Sequence, residues 1–295
     1  MAACEKNRTI IEDLESCDNF CSEVHTFSDW VKEEEKNMAR FRFSFPPGLS
    51  SHSGIWESKE PEYDSDGDII VRRRGDDDEG VVQLQHDLST PLAGVGKQIW
   101  RGSLLLADYF LHNHQKMQNK KILELGSGTG LAAIIASFCG AKVVATDIDG
   151  VGVLERIKEN ILKNNSLLKM DILVKSCDLR KNKYSELMEN FDLIVAGDII
   201  YDDDITDAFI DYLESVWQVD RSVEVLISLE KRFVFTLEAL DTVAPAYDYF
   251  RSKLTSQEQL YDLRVQDISV NFKQYFCYDK ESHMVLLSIK CNQIV

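Results

Sequence analysis

Glu124-Leu125-Gly126-Ser127-Gly128-Thr129-Gly130 follows a short apolar run, KKIL, and opens a stretch with helical spacing. Glycines between a strand and a helix let a ligand approach the backbone where side chains would block it. The next apolar run closes on an acid, Asp147, which lies 21 residues after Gly126. That is near the ~20-residue offset of a carboxylate that holds the ribose hydroxyls of a nucleoside. A dinucleotide site uses G-x-G-x-x-G and seats a pyrophosphate on the helix N-terminus. Here the spacing is G-x-G-x-G with Glu124 just ahead of it. An acid in that place suits a cofactor that carries an ammonium and a sulfonium, so the expected cofactor is S-adenosyl-L-methionine.

Such a loop needs a parallel sheet behind it. Five short apolar runs, KKILELG, AKVVATD, DILVKSCD, FDLIVAGD and SVEVLISLEK, alternate with stretches of helical periodicity at Ile99–Leu111, Gly130–Phe138, Val151–Lys163 and Ile205–Val216. Alternation of this kind predicts a Rossmann-like α/β fold, a mostly parallel sheet covered on both faces. Two late runs, VQDISVNF and MVLLSIK, predict an antiparallel hairpin at one edge. Ahead of the sheet, Ile69–Arg73 and Val81–Gln85 are expected to pair as an N-terminal β-hairpin across the polar turn 74–80. The division expected is an irregular arm at 1–60, the hairpin extension at 61–90 and the catalytic domain at 91–295.

The 295 residues are 44% hydrophobic, enough for a full core without disulfide staples. Seven cysteines in no repeating pattern are expected to be reduced thiols of a cytosolic or nuclear protein. The acidic opening lacks the basic and apolar regions of a secretory signal, and no run reaches the ~20 apolar residues of a membrane span. The formal net charge of −17 argues against phosphate tracking, hence against direct nucleic-acid binding. An acidic surface favours encounter with basic partners; its plainer reading is solubility alone.

ELGSGTG, then ATD, then Asp198-Ile199-Ile200-Tyr201 after the fourth run resembles the methyltransferase-like-21 group of protein-lysine methyltransferases, with its E-L-G-x-G-x-G and D-x-x-Y motifs. DGDIIVRRR, LSTPLAGVGKQIWRGSLLLADY, YDDDITDA, SLEKRFVFTL and YDYFRS narrow the resemblance to one member of that group and extend it from about residue 65 to the end. It implies a seven-strand class I methyltransferase sheet and methyl transfer to a lysine amine of a protein; the chain is expected to act as a monomer. It also implies roles for individual residues. Gly126, Gly128 and Gly130 would line the methionine portion of the cofactor, and Asp147 would hold the ribose. Trp100 would stand near the cofactor pocket. Asp178 would lie on the adenine side, where Leu179 replaces the group's tryptophan. Asp198 and Tyr201 would face the target amine, Asp198 orienting its ammonium and also bordering the cofactor.

Plainer readings stand beside these. Asp198 could cap a helix, Trp100 could be core, and Asp202, Asp203 and Asp204 could be a solvated helix start. Asp64-Ser-Asp-Gly-Asp68 fails as a calcium loop, because its sixth position is Ile69 and its twelfth is Gly75. Cys17-x-x-x-Cys21 with His25 lacks a second ligand pair, so no metal is assigned. His112 and His114 are expected at the surface, and Arg72-Arg73-Arg74 is too short for a targeting signal. A small-molecule methyltransferase and a catalytically silent cofactor-binding scaffold remain the alternatives.

Overall fold

The computed structural model describes residues 20–21, 29–33, 36–49, 79–181, 184, 190–236 and 241–292. In chain order its strands are β1 (Phe20–Cys21), β2 (Asp29–Glu33), β3 (Lys36–Ser44), β4 (Glu79–Gln85), β5 (Ser89–Thr90), β6 (Lys121–Leu125), β7 (Lys142–Asp147), β8 (Ile172–Ser176), β9 (Leu193–Gly197), β10 (Glu224–Glu230), β11 (Val234–Thr236), β12 (Asp241–Val243), β13 (Leu263–Asp267) and β14 (Met284–Cys291). The helices are α1 (Arg101–His112), α2 (His114–Met117), α3 (Leu131–Phe138), α4 (Val153–Lys163), α5 (Asp203–Val219) and α6 (Pro245–Tyr261).

The main sheet has the order β13-β14-β10-β9-β6-β7-β8. β10, β9, β6, β7 and β8 run parallel, and β14 runs antiparallel between β10 and β13. This is the expected Rossmann-like seven-strand sheet with an antiparallel edge. Its strands read as unbroken apolar runs because both faces are covered. Ile122, Val143, Leu193 and Leu226 face one core, with α1, α3 and α4. Leu123, Val144, Ile194 and Ile227 face the other, with α5 and α6. β6 is the first strand of the sheet in sequence; β7 and β8 extend it to one side and β9 and β10 to the other. The order therefore reverses at β6 and β9, the crevice where such sheets bind ligands.

The N-terminal hairpin differs from expectation in its partner. Val81–Gln85 is a strand, within β4, but it pairs antiparallel with β3, in register Phe41↔Val82. The expected partner, Ile69–Arg73, lies outside the described residues, as do Cys17, His25, 64–68 and Arg74. Residues 36–45, placed by sequence in the irregular arm, carry a period-two signal: Phe41, Phe43 and Phe45 are buried while Arg40 and Arg42 are exposed. Phe43 stacks on Phe276 at 5.1 Å and meets the edge of Phe138 at 5.6 Å, fixing this small sheet to α3. The sequence also misplaces His114, which is buried with Nδ1 against the Leu111 carbonyl. The run VQDISVNF forms a strand only up to Asp267.

The other edge of β4 is closed by side chains. Asn160 on α4 and Asn164, which caps its C-terminus, each hydrogen-bond a β4 residue through both N–H and carbonyl, at 2.7 and 3.0 Å for Gln85 and 2.8 and 2.7 Å for Gln83. Asn160 Nδ2 also donates to the Thr129 carbonyl at 2.9 Å, so the glycine loop hangs on the same residue. Asn160→Leu leaves a buried donor and two buried acceptors unpaired and should cost about 3 kcal/mol. The unfolding midpoint should fall by about 6–12 °C. Calorimetric melting checks this, and a variant that melts with the wild type would remove Asn160 as the tie.

Candidate active site

The glycine loop leaves the carboxyl end of β6 with Gly126, Gly128 and Gly130 all at positive φ (66°, 56° and 81°). Gly128 has a second constraint. A Cβ there would lie 2.9 Å from the Gly96 carbonyl oxygen, because the 3₁₀ segment Leu92–Lys97 crosses directly over the loop. The Gly128 N–H donates to Asp147 Oδ2 at 2.8 Å, and Ile148 N–H donates to Oδ1 at 2.8 Å. Burial raises the Asp147 carboxyl above its ordinary value, opposed by these two N–H groups. Two fixed donors aim the carboxylate and leave acceptor positions for a pair of hydroxyls.

Glu124 sits at the base of the loop, buried, and its Oε2 has no hydrogen-bond partner among the described residues. Burial pushes its carboxyl up to about 8, the charge of Asp147 adds to that, and the Ser127 hydroxyl and Ala133 N–H oppose it. A buried carboxyl oxygen without a partner calls for a cation or a donor from outside the chain.

On the neighbouring strand end, Asp198 has left-handed backbone (φ 51°) and is buried. Its Oδ2 accepts the Gly102 N–H at 2.5 Å and its Oδ1 accepts the Glu230 N–H at 3.0 Å. One carboxylate thus ties the end of β9 to the first turn of α1 and to the end of β10. Burial raises its pKa, while Arg232, the two N–H groups and Arg101 hold it down. Arg101 is pinned by Glu230, Nη1 to Oε1 at 2.7 Å, and His283 Nε2 stands 3.6 Å from the same oxygen. Sequence assigned Asp198 to the amine and to the cofactor pocket; the structure adds this clamp, which occupies two of its lone-pair directions.

Tyr201 is half-buried, and burial and the charges of Asp147 and Asp202 raise its pKa, against Arg180. Asp202 caps α5, accepting from the N–H groups of Asp204 and Ile205, and Asp203 and Asp204 fill the first turn. The plain helix-start reading therefore accounts for Asp202. Asp178 stands after β8; burial pushes its carboxyl up, but Lys181 and Arg180 prevail and hold it at about 2. The half-buried Trp100 indole donates Nε1–H to the Val95 carbonyl at 2.9 Å and carries the Arg232 guanidinium 4.7 Å above its ring.

Apart from Trp100, which precedes α1, the site residues read from sequence lie at the carboxyl ends of β6, β7, β8 and β9. Gly96, Arg101, Gly102, Glu230 and Arg232 were missed. The two glycines of LAGVGK just before Trp100, and a glycine inside a helical run at Gly102, were the available hints.

A family described as lysine methyltransferase matches residues 77–243, more than half of the chain. Methyltransferase-like protein 22 of Mus musculus is 34% identical over 232 residues, covering 71% of this chain and 59% of the relative. Its Homo sapiens counterpart is 35% identical, covering 71% and 57%. The electron transfer flavoprotein beta subunit lysine methyltransferase of Mus musculus is 38% identical over 110 residues, covering 37% and 40%. The chain thus spans less than two thirds of the length of these relatives. The match runs from β4, through the glycine loop, Asp147 and the D-x-x-Y turn, to β12, and on it the chain belongs to the lysine methyltransferase family.

Proposed function

We propose that this chain transfers a methyl group from S-adenosyl-L-methionine to the side-chain amine of a lysine in another protein. The observation that carries the reading is the bridge of residues 95–102. At one end Gly96 covers the glycine loop and Asp147; at the other Gly102 is bonded to Asp198. A cofactor loop and a D-x-x-Y turn joined in this way hold two reactants at one end of one sheet.

The residues fit that cofactor on two counts: the unpartnered Glu124 Oε2 and the glycine loop into which no Cβ fits at Gly128. Glu124 would face the amino-acid ammonium, the three glycines the methionine portion, Asp147 the ribose and Asp178 the adenine side. The bound cofactor supplies an electrophilic methyl on a sulfonium. In-line transfer then depends on alignment and exclusion of water.

A lysine amine is mostly protonated at neutral pH, with an ordinary pKa near 10.4, about which the neighbours decide. A lone carboxylate would hold the proton on. Asp198 is not alone, because the charge of the fixed Arg101 guanidinium acts on it, and that charge favours release of the ammonium proton. Asp198 sets the position of the turn, and the Tyr201 ring and hydroxyl border the approach. The partner proposed is a protein with a basic surface, met by a monomer in the nucleus or cytoplasm; no helix among the described residues is long and apolar enough to cross a membrane.

The test is transfer of a labelled methyl into a cell extract by the wild type and Asp147→Ala. The expected result is a labelled protein, its label on lysine, that disappears with the variant. Cofactor binding by calorimetry with no labelled protein would overturn the reading in favour of a small-molecule enzyme or a scaffold.

A further inference from the structure

The cation that lies on Trp100 belongs to this chain. Arg232 follows β10 in an irregular segment and is exposed, yet its guanidinium sits 4.7 Å over the indole, within the range at which an aromatic face attracts a cation. Among the described residues its partners are that ring and the charge of Asp198. Arg101 makes the contrast: it is buried and held by Glu230 at 2.7 Å. One guanidinium near Asp198 is fixed in place and the other rests on a surface it can leave.

The surface under Arg232 is built. The indole cannot swing away, because Nε1–H is held by the Val95 carbonyl and the Trp100 backbone starts α1 two residues before Gly102. The Asp198 carboxylate cannot swing either, being held by two N–H groups. A fixed aromatic face beside a fixed carboxylate is a cation site in its own right. It also lies on the 95–102 bridge, between the loop expected to hold the methyl donor and the D-x-x-Y turn.

We propose that the Trp100 face beside Asp198 seats the ammonium of the target lysine and that Arg232 is the intramolecular occupant of that seat, giving way when a substrate lysine enters. The inference rests on the lysine-methylation reading above. Exchange of one monovalent cation for another leaves Asp198 facing the same charge as the substrate enters. Neutral and anionic side chains have no means of displacing Arg232, so the contact selects for the amine before any chemistry occurs. Arg232 is then a specificity determinant that competes with substrate.

The probe is n-butylammonium chloride, titrated into the wild type and into Arg232→Ala while the indole N–H resonance of Trp100, assigned with Trp100→Phe, is followed by NMR. Sodium chloride and n-butanol serve as controls for ionic strength and for apolar binding. Arg232 is exposed, so its removal leaves the core intact. Arg232→Ala should bind butylammonium about five- to tenfold more tightly than the wild type, the gain expected when one cation–π competitor is removed. Equal affinity in the two chains, or a Trp100 resonance unmoved in both, overturns the proposal. The labelled-methyl assay on the same preparations separates the two levels. Lysine labelling with equal butylammonium affinities sinks the Arg232 seat alone, and absence of lysine labelling sinks the functional reading beneath it.

Discussion

Gly102→Ala is expected to lower methyl transfer by at least about a hundredfold and to lower the melting temperature, although alanine is the better helix residue. Gly102 lies in the first turn of α1 without a positive φ, so propensity alone would make the change stabilising by about 1 kcal/mol. Packing opposes it. A Cβ at Gly102 would stand 2.7 Å from Asp198 Oδ2, 2.8 Å from its Cγ and 2.9 Å from its backbone nitrogen. None of these atoms is the loose end of a side chain, since Asp198 is at φ 51° with both oxygens bonded. To admit the methyl the turn must shift, and the Gly102 and Glu230 N–H groups lose a buried charged acceptor, at about 1–3 kcal/mol each. Tyr201, three residues on, moves with it. Displacement of a reacting group by about 1 Å is worth about a hundredfold in rate. Melting curves and labelled-methyl turnover of the one variant decide the matter. A Gly102→Ala chain that melts higher and turns over normally would show that the close approach to Asp198 is not what holds the turn.

The same contrast between local signal and distant partner explains what could be read from the sequence. The parallel strands were legible because burial on both faces makes each an apolar run, and the glycine loop and Asp147 were legible because their spacing is fixed by one βαβ unit. Asp198 was legible as a strand-end acid, but its partners were not: Gly102 and Glu230 lie 96 and 32 residues away, and nothing local marks them. β3 and the residue after it carried a period-two alternation at Phe41, Phe43 and Phe45, masked by two arginines and the following Pro46-Pro47. α6 escaped notice because only Phe250 and Leu254 of its 17 residues are buried, too few for a visible helical stripe. Asn160 and Asn164 read as ordinary polar helix positions; their role as the edge partner of β4 appears only when α4 lies alongside it. Sequence periodicity reports which face of an element is covered, and it leaves open which element covers it.

Cofactor affinity should rise about twentyfold between pH 6 and pH 7.5, a slope expected of one group with a pKa near 8, and Glu124→Gln should flatten it. The buried Glu124 carboxyl titrates at about 8, chiefly through burial, with Asp147 adding and Ser127 opposing. At pH 6 its ionised fraction is about 1%, and at pH 7.5 about a quarter. Only the ionised form attracts an α-ammonium. That group has an ordinary pKa of about 8 itself, so it stays mostly charged across this window and its own loss does not set the slope. Binding at pH 7 should therefore release close to one proton, measurable by calorimetry in two buffers of different ionisation enthalpy. Without cofactor the sign reverses for stability. The native chain keeps this proton up to about pH 8, whereas the unfolded chain releases it near 4.3. The native state thus binds more protons between those values, so stability falls as pH rises through that window and levels off above it. Glu124→Gln should melt higher than the wild type at pH 8 while binding cofactor more weakly. A wild type whose affinity is flat from pH 6 to 7.5, with no proton released, would mean that Glu124 is not the group facing the ammonium.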